Sequence, residues 1–354
     1  MQMNKQIVKT IEELAAGGFP SEDRLEELLL RSGKEEDTYL FRQADTVRKQ
    51  IFGNRIYIRG LIEFTNYCKN DCYYCGIRKS CTNAERYRLT PEEILSCCEK
   101  GYSLGFRTFV LQGGEDPYWT DEKLIPILSA AKEKYPDCAL TLSVGERSRT
   151  SYEKLFQAGA DRYLLRHETA DWNHYESLHP AEMDFRNRRE CLRNLKSIGY
   201  QTGCGFMVGT PGQTVKHLIS DLSFIAEFMP HMAGVGPFIP AAGTPFENDP
   251  KGSSVLTLRL LAILRLLIPQ ILLPATTALG TASQDGRLLG IKAGANVIMP
   301  NLTPAAFRSK YTLYDGKAEL TAEHAEELAA LKESVRSIGF EIVIDRGDSP
   351  LFQQ

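Results

Sequence analysis

The sequence predicts an α/β fold, a closed (β/α)8 barrel of the TIM type, and three observations predict it. Eight apolar runs of strand length recur along the chain, helical stretches separate them, and 354 residues suffice for such a barrel with extensions at both ends. An open doubly wound sheet is the alternative that the same spacing permits.

The elements follow in order. Residues 1–50 read as a helical extension, in which Ser21 caps a helix and Gly33 stops it. The barrel is expected over 51–305, with strands at 55–64, 108–112, 139–144, 162–166, 202–208, 234–239, 272–277 and 296–300. In the helix after the first strand, Thr90 is the N-cap, Pro91 takes the first helical position and Glu93 completes a capping box. Residues 306–354 read as a C-terminal elaboration. It has a helix over 321–339 with Leu328, Leu331, Val335 and Ile338 on one face, then a short strand at 340–344. No linker, repeat or low-complexity segment divides residues 1–354, so a single domain is expected. The tripeptide Arg346-Gly347-Asp348 reads as turn chemistry.

Composition narrows the class. The chain is 43% hydrophobic and 25% charged, with a net charge of −3 and no basic run, so no nucleic-acid surface is expected. The N-terminus has no long apolar stretch and carries Glu12 and Glu13, which argues against a signal peptide. The most apolar stretch, 258–273, is interrupted by Arg259 and Arg265 and limited by Pro269. It reads as a buried helix leading into a strand, not a membrane span. A cytoplasmic enzyme is the expectation, and nine cysteines, an odd count, argue against a disulfide framework.

Four of those cysteines fall within "FTNYCKNDCYYCGIRKSC", residues 64–81. Cys68, Cys72 and Cys75 form C-x3-C-x2-C immediately after the first predicted strand, where a barrel carries its catalytic face. Three thiolates on a tight loop can wrap three corners of a cubane 4Fe–4S cluster and leave the fourth iron without a protein ligand. Structural zinc prefers four ligands, and no second cysteine pair or suitable histidine follows at finger spacing. Thioredoxin-like chemistry accepts Cys72 and Cys75 but leaves Cys68 unexplained. Cys81 lies outside the spacing and reads as an incidental thiol.

Other strand ends offer ligand-side groups. Gly113 and Gly114, after the second strand, allow close backbone approach to a ligand. In "RYLLRHE", alternation puts Arg162, Leu164, Arg166 and Glu168 on one face, and Tyr163, Leu165 and His167 on the other. If the first face lines the barrel, two arginines and a carboxylate reach the cavity; a structural ion pair is the competing reading. Thr276 and Thr277 end the seventh strand with hydroxyls suited to an anion or carboxylate, and Tyr311 and Tyr314 follow the eighth as possible lids.

The three-cysteine spacing, with Tyr74 before the last cysteine, resembles the signature of the radical S-adenosylmethionine (radical SAM) superfamily. Over roughly residues 55–317, "GADRYLLRHETA", "MVGTPGQT", "GPFIP", "PATTALGT" and "GANVIMPNLTP" are similar to the HydE family of FeFe-hydrogenase maturases. Biotin synthase and methylornithine synthase are relatives with the same barrel.

The resemblance implies that Cys68, Cys72 and Cys75 hold a 4Fe–4S cluster whose open iron binds S-adenosylmethionine. One electron then releases methionine and a 5′-deoxyadenosyl radical. It places Tyr74, Gln112, Gly113, Gly114, Glu168, Arg188 and Tyr311 near S-adenosylmethionine, and Arg166, Thr276, Thr277 and Tyr314 on the substrate or anion side. It further implies a small organometallic iron substrate carrying cyanide, carbon monoxide and cysteine, delivered by another hydrogenase maturase. The electron donor would be a ferredoxin or flavodoxin, with no nucleic-acid or membrane partner. An amino-acid mutase of the methylornithine synthase type is the alternative, its arginines gripping an α-carboxylate. Some HydE proteins carry a further cysteine group after the last barrel strand; residues 315–348 have none, so no second cluster is expected.

Overall fold

A computed structural model of the chain describes residues 3–317 and 324–352. Three helices come first: α1 (Lys5–Ala15), α2 (Glu22–Arg31) and α3 (Lys34–Phe52). Gly33 does more than stop α2, because it is the N-cap of α3 and its amide donates to Glu36 Oε2 at 3.0 Å.

The predicted first strand divides at Arg59 into β1 (Arg55–Ile58) and β2 (Gly60–Thr65). Gly60 lets the chain turn there against Leu302, whose Cδ1 would lie 2.3 Å from an added Cβ. Then come α4 (Pro91–Ser103), β3 (Thr108–Gly113), α5 (Asp121–Lys134), β4 (Ala139–Ser143), α6 (Arg149–Gln157) and β5 (Ala160–Leu164). Next are α7 (Trp172–Leu178), α8 (Phe185–Ile198), β6 (Gln201–Val208), α9 (Val215–Phe228) and β7 (Met232–Pro237). The chain continues through α10 (Ser254–Leu267), α11 (Thr277–Ala282), α12 (Gly286–Lys292), β8 (Val297–Ile298) and α13 (Ala305–Arg308). Last are α14 (His324–Ser337) and β9 (Glu341–Val343); residues 321–323 of the predicted C-terminal helix lie outside the described residues.

Strands β2 to β7 form one parallel sheet in sequence order, and β1 pairs in parallel with both β8 and β9. Single bridges, Met232 to Leu272, Pro274 to Val297 and Leu61 to Asn301, link the two sheets into an α/β barrel. The predicted seventh strand is therefore a pair of bridges. Pro274 cannot donate to a ladder, and Thr276 already caps α11, so the ladder has no room to extend.

Local rules account for the helices. Thr90 Oγ1 accepts from the Glu93 amide at 3.2 Å while Glu93 Oε2 accepts from the Thr90 amide at 2.7 Å. Helix α10 is buried over most of its surface, and Arg265, fully buried within it, bonds the carbonyls of Gly294 and Pro269 and the Asn296 side chain. No helix among the described residues is long and apolar enough to cross a membrane.

The C-terminal segment closes the lower mouth of the barrel. Gly347 turns with φ 58, against Tyr57, and this turn points Asp348 inward to Arg162. Arg162 thus faces the interior but at the base. Beside it Arg59 is fully buried, its Nη1 in contact with Met232 Sδ at 2.7 Å.

Candidate active site

The loop after β2 is shaped by its own polar groups. Asn66 ties it to both flanks, donating to the carbonyls of Glu85 and Lys310 and accepting from the Tyr87 amide at 2.8 Å. Arg86 donates to the carbonyls of Ile77, Arg78 and Cys81, and Asp71 accepts from Arg78 and Ser80. These bonds fold the loop so that Cys68, Cys72 and Cys75, all half-buried and free, line one cavity of about 280 Å³ at the C-terminal end of the strands. Cys81 is buried and lies off that cavity, its carbonyl held by Arg86.

The donor set suits a cluster. Burial pushes the Cys72 thiol up to about 12 and raises Cys68 and Cys75, and neighbouring thiols add to the shift of Cys72 and Cys75. Three such thiols ionise together only around a strong positive charge. Among the described residues no group of three His, Cys, Asp or Glu side chains converges to hold a single metal ion. Three free thiols of one loop, with no fourth cysteine among the described residues lining the cavity, fit a polynuclear group with one open corner.

The end of β3 meets this loop. An added Cβ at Gly114 would lie 2.3 Å from the Tyr67 carbonyl oxygen and 2.7 Å from Cys68 Cβ, and one at Gly113 would lie 2.6 Å from Thr65. The close approach expected of these glycines is therefore to the cysteine loop itself, although both also line the cavity. Asp116 is consumed structurally, bonded to Arg88 at 2.7 and 2.9 Å and to Thr65.

Arg166, Glu168 and Arg188 line the same cavity as the thiols. Arg166 Nη2 lies 3.4 Å from Glu168 Oε2, and Arg166 Nε, Arg166 Nη2 and Glu168 Oε2 are buried with no hydrogen-bond partner. Arg188, from the first turn of α8, donates to Glu146 and, at 2.8 Å, to the Arg166 carbonyl. Glu168 is in the left-handed region with φ 65, one of two non-glycine residues so placed among those described.

The remaining wall comes from later elements. Tyr311, fully buried, places its hydroxyl 3.5 Å from Gln112 Nε2, and Tyr314 stands nearby with its phenol pushed up to about 12 by burial. Thr276 lines the same cavity as the N-cap of α11. Thr277 does not: it lines a separate cavity of about 80 Å³ with Arg287, Asn301 and Lys317, because the first helical turn rotates it away from its neighbour. Tyr74 turns its hydroxyl away from solvent to His179 Nε2 at 3.1 Å, while His179 Nδ1 donates to the Tyr175 carbonyl.

Sequence reasoning missed Arg86, Glu146, His179 and Met183, the last within 3.5 Å of Cys72 Sγ. Nothing in their local spacing marks them: Arg86 bonds carbonyls of its own irregular loop, and Glu146, His179 and Met183 act on residues 42 to 111 positions away.

The model of the radical SAM superfamily matches residues 62–225. The [FeFe] hydrogenase maturase subunit HydE of Thermotoga maritima is 48% identical over 278 residues, 78% of this chain and 79% of that protein. The 3-methylornithine synthase of Methanosarcina acetivorans is 31% identical over 330 residues, 92% and 89% of the two chains. A crystal structure of methylornithine synthase superposes with a TM-score of 0.82 at 28% identity, covering 94% of this chain and 97% of that one.

Proposed function

We propose, from the premise that the chain belongs to the radical SAM superfamily, that it works as a HydE-type maturase in the assembly of the dinuclear iron subcluster of FeFe-hydrogenase. The observation that carries the reading is one cavity lined by three free thiols together with Arg166 and Glu168, whose buried polar atoms make no hydrogen bond beyond a 3.4 Å contact with each other.

Cys68, Cys72 and Cys75 would hold the 4Fe–4S cluster. When bound, that cluster supplies one electron to S-adenosylmethionine, whose carbon–sulfur bond breaks to give methionine and a 5′-deoxyadenosyl radical. The protein's part is to bind, orient and exclude water. Tyr74, Gln112, Gly113, Gly114, Glu168 and Arg188 ring the S-adenosylmethionine side, and the Glu168 carboxylate is an acceptor for hydroxyl or ammonium groups. Arg166, whose Nε has no partner and whose Nη2 makes only the 3.4 Å contact with Glu168, offers donors to an anionic or carboxylate group of the substrate, with Thr276 and Tyr314 in the same lining. Burial raises the phenols of Tyr311 and Tyr314, so both remain protonated donors at neutral pH as they close the chamber. Thr277, on the neighbouring cavity, takes no part in this arrangement.

The substrate we assign is a small iron species carrying cyanide, carbon monoxide and cysteine, delivered by another maturase, with a ferredoxin or flavodoxin as electron donor. Anaerobically reconstituted protein, given S-adenosylmethionine and dithionite, should yield 5′-deoxyadenosine. Added to a maturation mixture that lacks its HydE component, it should restore hydrogen evolution by the hydrogenase. Absence of 5′-deoxyadenosine would end the enzyme reading. The likeness to methylornithine synthase over 94% of the chain favours a second reading as an amino-acid mutase. Cleavage without restored hydrogen evolution, together with formation of 3-methylornithine, would select it.

A further inference from the structure

The ladder between β5 and β6 runs regularly through Leu164 opposite Gly203, and the Leu165 amide donates to the Gly203 carbonyl at 3.0 Å. In a continued parallel ladder the Gly205 amide would next donate to the Leu165 carbonyl, and the Gly205 carbonyl would accept from the His167 amide. Neither bond forms. The Gly205 amide donates to His167 Nδ1 at 3.2 Å, and the Gly205 carbonyl accepts from the Glu168 amide at 3.0 Å. One extra residue is thereby inserted at the end of β5, and an imidazole stands in for a main-chain carbonyl.

This bulge has two consequences in the cavity. It directs the Arg166 carbonyl to Arg188 Nη1 at 2.8 Å, and it leaves Glu168 at φ 65 with its carboxylate in the chamber. A left-handed glutamate is unfavourable alone, so its surroundings must hold it. Because His167 Nδ1 accepts from an amide, its proton sits on Nε2, which donates to Asp221 Oδ1 at 3.2 Å. The same oxygen accepts from the Ala170 amide at 2.6 Å. Asp221, on α9, therefore grips the turn on both sides of Glu168. His167 is 1% exposed and Asp221 fully buried, and Phe206 and Phe224 pack on the imidazole. Neither residue lines the cavity.

We propose that His167 and Asp221 are positioning residues that hold the bulge at the end of β5 and so set the Glu168 carboxylate and the Arg188 guanidinium for S-adenosylmethionine. The inference rests on the reading above that these two groups contact S-adenosylmethionine. An asparagine at 167 keeps an oxygen near the place of Nδ1, whereas leucine removes both polar contacts.

The test uses the reconstituted holoprotein and follows the change that S-adenosylmethionine induces in the electron paramagnetic resonance spectrum of the reduced cluster. His167→Leu should raise the half-saturating concentration about tenfold or more at unchanged iron content, and His167→Asn should stay within about threefold of wild type. An unmoved midpoint in His167→Leu, or an equal loss in both variants, overturns the proposal. Glu168→Gln run alongside separates the two levels. If it shifts the midpoint and His167→Leu does not, only the positioning role fails. If Glu168→Gln leaves the midpoint unmoved, the reading of the site fails and the proposal with it. Should His167→Leu not fold, Asp221→Asn takes its place, with a rise of about threefold or more expected and an unmoved midpoint overturning the proposal.

Discussion

At its lower end β5 carries Arg162, whose guanidinium donates to Thr108 Oγ1 at 3.0 Å, to the Arg346 carbonyl at 2.8 Å and to Asp348 at 2.6 Å. Four residues on, just past its upper end, Arg166 has a 3.4 Å ion pair through Nη2 to Glu168 and a buried Nε without a hydrogen-bond partner, and its side chain is 34% exposed. Residue type and strand face are the same. The difference lies in what the chain brings to meet them: a returning C-terminal segment below, and an open chamber above. A buried arginine closed by several short bonds to its own chain is structural, while one with a single longer contact and an open donor is available to a ligand.

The upper region breaks first if its thiols are altered. Cys72→Ser is expected to lower 5′-deoxyadenosine formation more than about a hundredfold and to cut iron retained after reconstitution, because a serine hydroxyl is a poor soft-metal ligand. Wild-type cleavage in this variant would remove the cluster assignment.

Arg166→Ala sharpens the contrast directly. We expect about ten- to a hundredfold loss of substrate-coupled activity, with S-adenosylmethionine affinity changed less than about threefold and the melting temperature unchanged. Equal loss of both functions would move this arginine into the S-adenosylmethionine site.

Gly114→Ala tests how the two sides meet. The new methyl would lie 2.3 Å from the Tyr67 carbonyl, so backbone must shift, at a cost of about 1–3 kcal/mol. Iron per chain after reconstitution should fall while the far-ultraviolet circular dichroism spectrum stays as in wild type.

The lower region should respond in stability and not in chemistry. Burial works to raise the Asp348 carboxyl, but Arg162, Gln201 and Arg346 hold it well below the usual carboxylate range. A carboxyl depressed in the folded state contributes stability that is full above its unfolded value, about 3.9, and is lost as pH falls through the folded value. Asp348→Asn should cost about 1–2 kcal/mol at neutral pH, less than for a fully buried pair because the Asp348 side chain is 35% exposed. Thermal melts against pH should show the gap closing in acid. A constant gap from pH 7 to pH 3, or a loss of cleavage activity in the folded variant, would erase the distinction between the two ends.

Several parts were legible from neighbours in sequence. The cysteine spacing, the Thr90–Glu93 capping box and the burial of α10 depend on residues within a few positions of one another, so periodicity and spacing carry them. The alternation in "RYLLRHE" was legible only as far as Leu165. Leu165 packs as expected in the same core cluster as Tyr163, and its amide still follows the ladder; the inserted residue comes after it, so the Gly205 carbonyl accepts from Glu168 and not from His167. Thr276 and Thr277 read as an equivalent pair, and the helix that begins between them sends them to different cavities. The seventh strand read as continuous, and Pro274 with the Thr276 cap reduced it to bridges.

What the sequence determined by itself was the local chemistry: three thiols on one loop after the first strand, capped helices between apolar runs, and charges at strand ends. Tertiary structure alone decided which charges are closed and which are open. Asp348 lies 186 residues from Arg162, and Asp221 lies 54 residues from His167. Separations of that size leave no trace in any period of 2 or 3.6 residues, so their pairing exists only once the barrel has closed.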